Sequence, residues 1–222
     1  MIFGQSIGVL VYAAFGFDFY GFLARDELML RFLMLMASAL YLVYYYVVAG
    51  DPLWDAIITN GALAAVNLAM ICVVITERTT FSMSAKMAGL YSSFSMLSPG
   101  QFRRLMRIAD LLDPDAGTVL TREGAQLDRL YFIAEGAVEL EKAGEIARIE
   151  GPAFIGEVAF ITGSEATATA RTTTDTSLIS WDQGALQRLF RRRPAIQVAI
   201  AALLNTDLAH KVARSRVLVV SA

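Results

Sequence analysis

A membrane α-helical N-terminal region of three spans, followed by an α+β domain, is the fold class predicted for this chain. Three observations predict it. The 222-residue chain is 56% hydrophobic and only 18% charged, against roughly 25% charged in average globular proteins. Its apolar residues gather at one end: residues 1–76 hold few ionisable side chains, and the remainder has the mixture of an ordinary soluble domain. Beyond residue 113, short β-rich segments punctuated by glycines predict a β-roll of jelly-roll type, with helices on either side.

A spanning helix needs about 20 consecutive apolar residues. Runs at 7–23, 28–48 and 53–75 supply three candidates. The first stops at Arg25-Asp26-Glu27, the second at Gly50-Asp51-Pro52 and the third at Glu77-Arg78; Gly and Pro together make a strong helix stop. The first run lacks the basic start and small-residue cleavage site of a signal peptide, and two further runs follow at once. Arg25 and Arg31 flank the first connection, Arg78, Lys86, Arg103, Arg104 and Arg107 follow the third run, and the connection at 49–52 has no basic residue. Basic residues favour the cytoplasmic side. The chain is therefore expected to be a multi-pass protein of the cell membrane, in contact with membrane lipid, with its N-terminus outside and its C-terminal domain in the cytoplasm. Asp18, Asn60 and Asn67 are the polar residues inside the spans. Asp18 lies near the cytoplasmic end and can reach water, and Asn67 is expected to make an interhelical hydrogen bond. No regular row of charges marks a voltage sensor, and no loop resembles a selectivity filter.

Several function classes are excluded at this level. A net charge of −2 carries no signature of nucleic-acid binding. Cys72 and His210 are each the only residue of their type, which leaves no disulfide framework and no cysteine or histidine metal cluster. No Ser-His-Asp order, metal motif or phosphate-binding loop is present, so neither an enzyme nor a cofactor is expected.

Residues 77–112 read as a helical linker. Met83, Met87, Leu90, Tyr91 and Phe94 recur at helical spacing, and Ser98-Pro99 begins a second helix with serine as cap and proline at the first position. Residues 113–182 read as the roll. Strands are predicted at 118–121, 129–133, 138–141, 146–149, 166–173 and 177–181, with a compact turn at 154–161. Residues 183–222 read as C-terminal helices, at 183–190 and from Pro194 to about Ala213. Arg191–Arg193 are expected to face solvent or lipid headgroups.

The string Gly117…Gly124…Asp128-Arg129-Leu130-Tyr131-Phe132-Ile133…Gly136…Gly151…Phe154-Ile155-Gly156-Glu157-Val158-Ala159 resembles the cyclic-nucleotide-binding domain. That resemblance implies an eight-stranded roll followed by helices, and a turn-plus-helix cassette that holds the cyclic phosphate and ribose. Backbone N–H groups at a helix start favour an anion. In the family the carboxylate of the Gly-Glu pair accepts the ribose 2′-hydroxyl proton, and a later arginine donates to the phosphate. The implied ligand-binding residues here are Phe154, Ile155, Gly156, Glu157, Val158 and Ala159, then Ala166, Thr167, Ala168 and Thr169. Ala166 stands where the phosphate arginine belongs, and Arg171 is five residues too late to replace it.

Over nearly its full length the chain resembles the Popeye-domain family, which has three spans followed by a divergent cyclic-nucleotide-binding domain. The strings that carry this likeness are Asn67-Leu68, Glu77-Arg78 with Phe81, Leu90-Tyr91 before Phe94, Leu97-Ser98-Pro99-Gly100-Gln101-Phe102-Arg103-Arg104-Leu105, Ser180-Trp181 and Leu203-Leu204-Asn205-Thr206-Asp207-Leu208-Ala209-His210-Lys211. Popeye proteins also lack the cassette arginine. Their cassette resembles Asp-Ser-Pro-Glu-Trp, of which Glu157 matches the glutamate alone, so this chain reads as intermediate between the two cassettes. The resemblance implies a non-catalytic, membrane-anchored effector whose ligand is cyclic AMP, with cyclic GMP as second candidate. It also implies a homodimer and a further protein partner, with Ile196, Ile200, Leu203, Leu204 and Leu208 as a lid or dimer face on the last helix. The alternative is a nucleotide-blind membrane assembly module.

Overall fold

The computed structural model describes residues 2–81 and 83–220. The chain divides into two units, Met1–Ser82 and Met83–Ala222. The first contains helices α1 (Ile2–Leu23), α2 (Glu27–Val47) and α3 (Trp54–Arg78), with α2 packed against both others. Among the described residues α2 and α3 are each long and apolar enough to cross a membrane, and the part of α1 at Gly8–Leu23 is a shorter apolar helix. Their large apolar side chains, Phe32, Val43, Leu63 and Val66 among them, are exposed. This is the reverse of a core helix in a water-soluble protein. The polar residues face protein instead: Asp18, Asn60 and Asn67 line one cavity of about 320 Å³ with Ser38 and Tyr41. Asn67 on α3 accepts a hydrogen bond from Arg31 on α2 at 3.4 Å, the interhelical contact expected of it.

Asp26 starts α2. Its Oδ1 accepts from the backbone N–H of Leu28 at 2.9 Å and of Met29 at 3.1 Å, satisfying two of the orphan donors of a helix start. Its Oδ2 pairs with Arg78 at the end of α3, 2.6 Å away. The Arg78 hydrogen bond, then the backbone donor of Met29, hold the Asp26 carboxyl below its ordinary value of 3.8. A depressed carboxyl pKa contributes stability above the unfolded-state pKa and loses it as pH falls through the folded one. Asp26→Ala is thus expected to lower the melting temperature of the purified chain at pH 7. The deficit should shrink as the pH of the melts falls from 7 through the ordinary carboxylate value and below it; an equal deficit at every pH would mean the carboxylate does not act by its charge.

The second unit begins with α4 (Ala85–Tyr91), one 3-10 turn at Ser92–Phe94, and α5 (Pro99–Met106). Ser98 caps α5 through Gln101, each side chain bonding the other's backbone N–H, and Pro99 opens the helix. Eight strands follow: β1 (Ala109–Leu112), β2 (Val119–Thr121), β3 (Arg129–Glu135), β4 (Ala137–Lys142), β5 (Glu145–Glu150), β6 (Ala153–Ile155), β7 (Thr169–Thr172) and β8 (Ser177–Asp182). Helix α6 (Glu157–Thr162) lies between β6 and β7, and α7 (Gln183–Arg192) and α8 (Pro194–Val220) close the chain. The strands form two antiparallel four-stranded sheets, ordered β1-β8-β3-β6 and β2-β7-β4-β5. This is the eight-stranded, helix-flanked roll that the resemblance to the cyclic-nucleotide-binding domain implies; the strand reading of the sequence itself gives six.

Three local expectations are corrected. Residues 109–112, expected in the helical linker, form β1, paired to β8 from Ala109↔Trp181 to Leu112↔Leu178. Arg129 secures it, donating to Ser180 at 2.8 Å and to Asp110 at 2.5 Å. Residues 154 and 155, expected to open the turn at 154–161, instead pair with β3, together with Ala153, as β6. Ala166–Ala168, expected as strand, are loop, and β7 starts only at Thr169.

Side chains alternate across a strand, and β3 shows why its run is unbrokenly apolar. Tyr131 and Ile133 face the roll interior with Val138, Ile155, Ala170 and Leu178. Leu130 and Phe132 face the other way, onto a larger core built with Phe94, Phe102, Leu105, Trp181, Leu186 and Phe190. Ile196, Ile200, Leu203 and Leu204 of α8 are buried in that same core. These four residues therefore belong to the interior of the domain, and Leu208 is only half-buried; the exposed apolar residues of α8 include Val198 instead.

Candidate functional site

The β6–α6 corner is built by glycine. Gly156 caps α6 with φ 86°, and a Cβ there would also meet Leu127 Cδ2 at 2.8 Å. Only glycine adopts this backbone readily, so Gly156 is required by the turn and by its close neighbour. The turn brings Ile155, Gly156, Glu157, Val158 and Ala159 to one wall of a cavity of about 290 Å³. Ala166, Thr167 and Ala168 line the same cavity. Eight of the ten predicted ligand-binding residues thus share one cavity, whose size is just below the range of small-ligand sites, about 300–1,000 Å³.

The other two are elsewhere. Phe154 is buried in the helix-facing core, its ring centroid 4.9 Å from that of Phe132. Thr169 accepts a hydrogen bond from the backbone N–H of Glu123 at 3.1 Å. Arg171, rejected on spacing as a phosphate donor, points to the far end of its strand and donates to the Gly117 carbonyl at 3.0 Å. The loop at Ala166 is firmly held. Ala166 N–H donates to the Ala125 carbonyl at 2.8 Å, its carbonyl accepts from Gly124 at 2.9 Å, and Thr121 Oγ1 donates to the Ala168 carbonyl at 3.0 Å.

Thr121, Leu140, Lys142, Glu145 and Ala147 complete the lining. Sequence reasoning missed all five, because strand pairing alone carries β2, β4 and β5 to this wall. A larger cavity of about 480 Å³ lies between α4 and the sheet of β1, β3 and β8, and contains none of the predicted residues.

Glu157 is the one buried carboxylate of the corner, 6% exposed. Its Oε1 accepts from Lys211 Nζ on α8 at 2.7 Å. Lys211 also pairs with Asp207, one turn back on α8, at 2.8 Å, and donates to the Phe154 carbonyl. Asp207 in turn accepts from the Phe154 N–H at 3.3 Å. Buried charges persist when paired and hydrogen-bonded, and here the pairing welds the terminal helix to the cassette.

Residues 114–193 match the family model of the cyclic nucleotide-binding domain. The fold of the second unit is the fold of that domain. A solved cyclic nucleotide-binding domain from Methylobacillus flagellatus superposes with TM-score 0.56 at 20% identity, covering 61% of this chain and 83% of that one. Two curated relatives are similar in sequence. A candidate potassium channel protein of Rhodopseudomonas palustris is 30% identical over 126 residues, 55% of this chain and 31% of its own length. A cyclic nucleotide-gated potassium channel of Mesorhizobium japonicum is 28% identical over 144 residues, 65% of this chain and 38% of its own. The chain thus spans only about a third of the length of these relatives. Gly156, Glu157 and Ala166 all line the cavity, and Ala166 is buried.

Proposed function

We propose that this protein is a non-catalytic, membrane-anchored cyclic-nucleotide effector with the layout of Popeye proteins. The observation that carries this reading is the convergence of Gly156-Glu157 and Ala166–Ala168 on one cavity inside a domain of this fold. The ligand is cyclic AMP. A carboxylate offers about four acceptor sites, so Glu157 retains capacity for a ribose hydroxyl beside its contact with Lys211. Helices α1–α3 serve as three spans, with the N-terminus outside and the roll in the cytoplasm. The pairing of Asp26 with Arg78, which brings the first connection to the end of α3, supports placing both basic ends on one side. That one relative is named a cyclic nucleotide-gated channel supports coupling between ligand and membrane segment. On this side the coupling element is α8, held at the cassette by Lys211. A ligand shifts such an element only by binding its two positions unequally.

Calorimetric titration of the detergent-purified full chain with cyclic AMP and cyclic GMP tests the reading. Saturable binding is expected with cyclic AMP, weakened roughly tenfold or more in Glu157→Ala by loss of a charged hydrogen-bond acceptor. Absence of both heat and thermal shift at millimolar nucleotide would overturn it. Two observations favour a second reading, a nucleotide-blind assembly module: Ala166 leaves the cavity without its usual phosphate donor, and Lys211 already engages Glu157. A homodimer fits either reading, and Ile196, Ile200, Leu203 and Leu204 are unavailable to form its face.

A further inference from the structure

The hairpin of β4 and β5 turns in two residues, Ala143 at φ 51° and Gly144 at φ 84°, the positive-φ pair of a tight hairpin. That turn fixes the register, with Lys142 opposite Glu145. Side chains two residues apart share a face. Val138 is fully buried in the roll interior and Leu140 packs against it. Lys142, next in the row, is exposed to solvent at the end of the strand and lines the cassette cavity. Among the described residues it is the only cationic side chain in that lining, and it makes no ion pair.

Two readings compete for such a residue. Inward charges near a sheet edge deter strand addition, and β5 is the edge strand of its sheet. That account fits Glu145, which is on β5. It does not explain Lys142, whose strand is paired on both sides, with β5 and β7. A cyclic phosphate carries one negative charge, and Glu145 and Glu157 already line the cavity, so an anion there requires a cation.

We propose that Lys142 is the phosphate-compensating residue of this cavity, supplying from β4 the charge that other domains of this fold supply from the position of Ala166. The assignment rests on the cyclic-nucleotide reading above. A lysine acts as a strongly hydrated point charge on a flexible stem, so the contact is looser than a bidentate arginine fork, and the ligand class is an anionic nucleoside cyclic phosphate held with modest affinity.

The test is competition for a fluorescent cyclic AMP analogue on the full chain in detergent, with cyclic AMP and adenosine as competitors. K142Q is expected to weaken cyclic AMP about tenfold, the scale of one charge-assisted contact, while leaving adenosine, which has no phosphate, unchanged. K142R is expected to retain cyclic AMP affinity within about threefold by the same conversion. Equal cyclic AMP affinity in K142Q and the parent chain would overturn the assignment, as would an equal loss for adenosine. If the folded parent chain binds no nucleotide, the reading beneath the assignment falls and takes it down. If it binds and K142Q binds equally, only the assignment falls.

Discussion

Lys211→Met is expected to destabilise the second unit by about 3–5 kcal/mol, the usual cost of removing one partner from a buried ion pair. The side chains of Glu157, Asp207 and Lys211 are 8%, 18% and 17% exposed, so two carboxylates would lose their shared cation with little water to replace it. Chemical denaturation of the full chain, followed by the fluorescence of buried Trp181, measures the loss. The triple variant E157Q, D207N and K211M is expected to be more stable than K211M alone, since it leaves no buried charge unpaired. A K211M protein within about 0.5 kcal/mol of the parent, the size of an ordinary surface substitution, would show that Lys211 swings to solvent in solution.

Phe94→Ala is expected to cost about 3–5 kcal/mol, as for large aromatic truncations in a packed core. The ring is fully buried and meets four others, with centroids 5.3 Å from Phe102, 4.8 Å from Phe132, 5.9 Å from Phe154 and 6.1 Å from Trp181. Those partners come from α5, β3, β6 and β8. The segment before the roll is thus part of its core, and Trp181 Nε1 donates to the Leu105 carbonyl from within the same layer at 3.1 Å. A fragment that starts at residue 113 would lack Phe94, Leu97, Phe102 and Leu105. Its amide exchange is expected to lack the protected core seen in a fragment starting at residue 83; comparable protection in both would refute a structural role for the preceding helices.

These two predictions also show what the sequence could and could not carry. Long apolar runs broken by charge or by Gly and Pro are local signals, and α2 and α3 follow them to within a few residues. Glycines with positive φ at 117, 124, 136 and 144 mark the ends of strands, so most of the roll could be read along the chain. β1 could not, because Ala109–Leu112 continues an apolar pattern from α5 and becomes strand only through pairing with β8, some 70 residues later. β6 has three residues, too few to show alternation. In the site, Gly156-Glu157 is a contiguous motif and was legible. The partner of Glu157 is 54 residues away on another element, and Lys142 enters the cavity by hairpin register. Neither relation leaves a local mark. The heptad-like apolar positions of α8 were visible, but the same spacing serves a domain core as well as an interface, and burial decided for the core.

The contacts of Asp207 and Lys211 have one more effect. β6 is the outer strand of its sheet, and the Phe154 N–H and carbonyl meet these two side chains of α8. An outer strand offers unpaired backbone groups to any passing chain, and proteins blunt such rims with charge or cover. Here a donor and an acceptor one helical turn apart cover this rim, in the way a ninth strand would. Whatever lifts α8 from the cassette therefore uncovers an adhesive border of the sheet, and the helix guards against self-association as long as it stays docked.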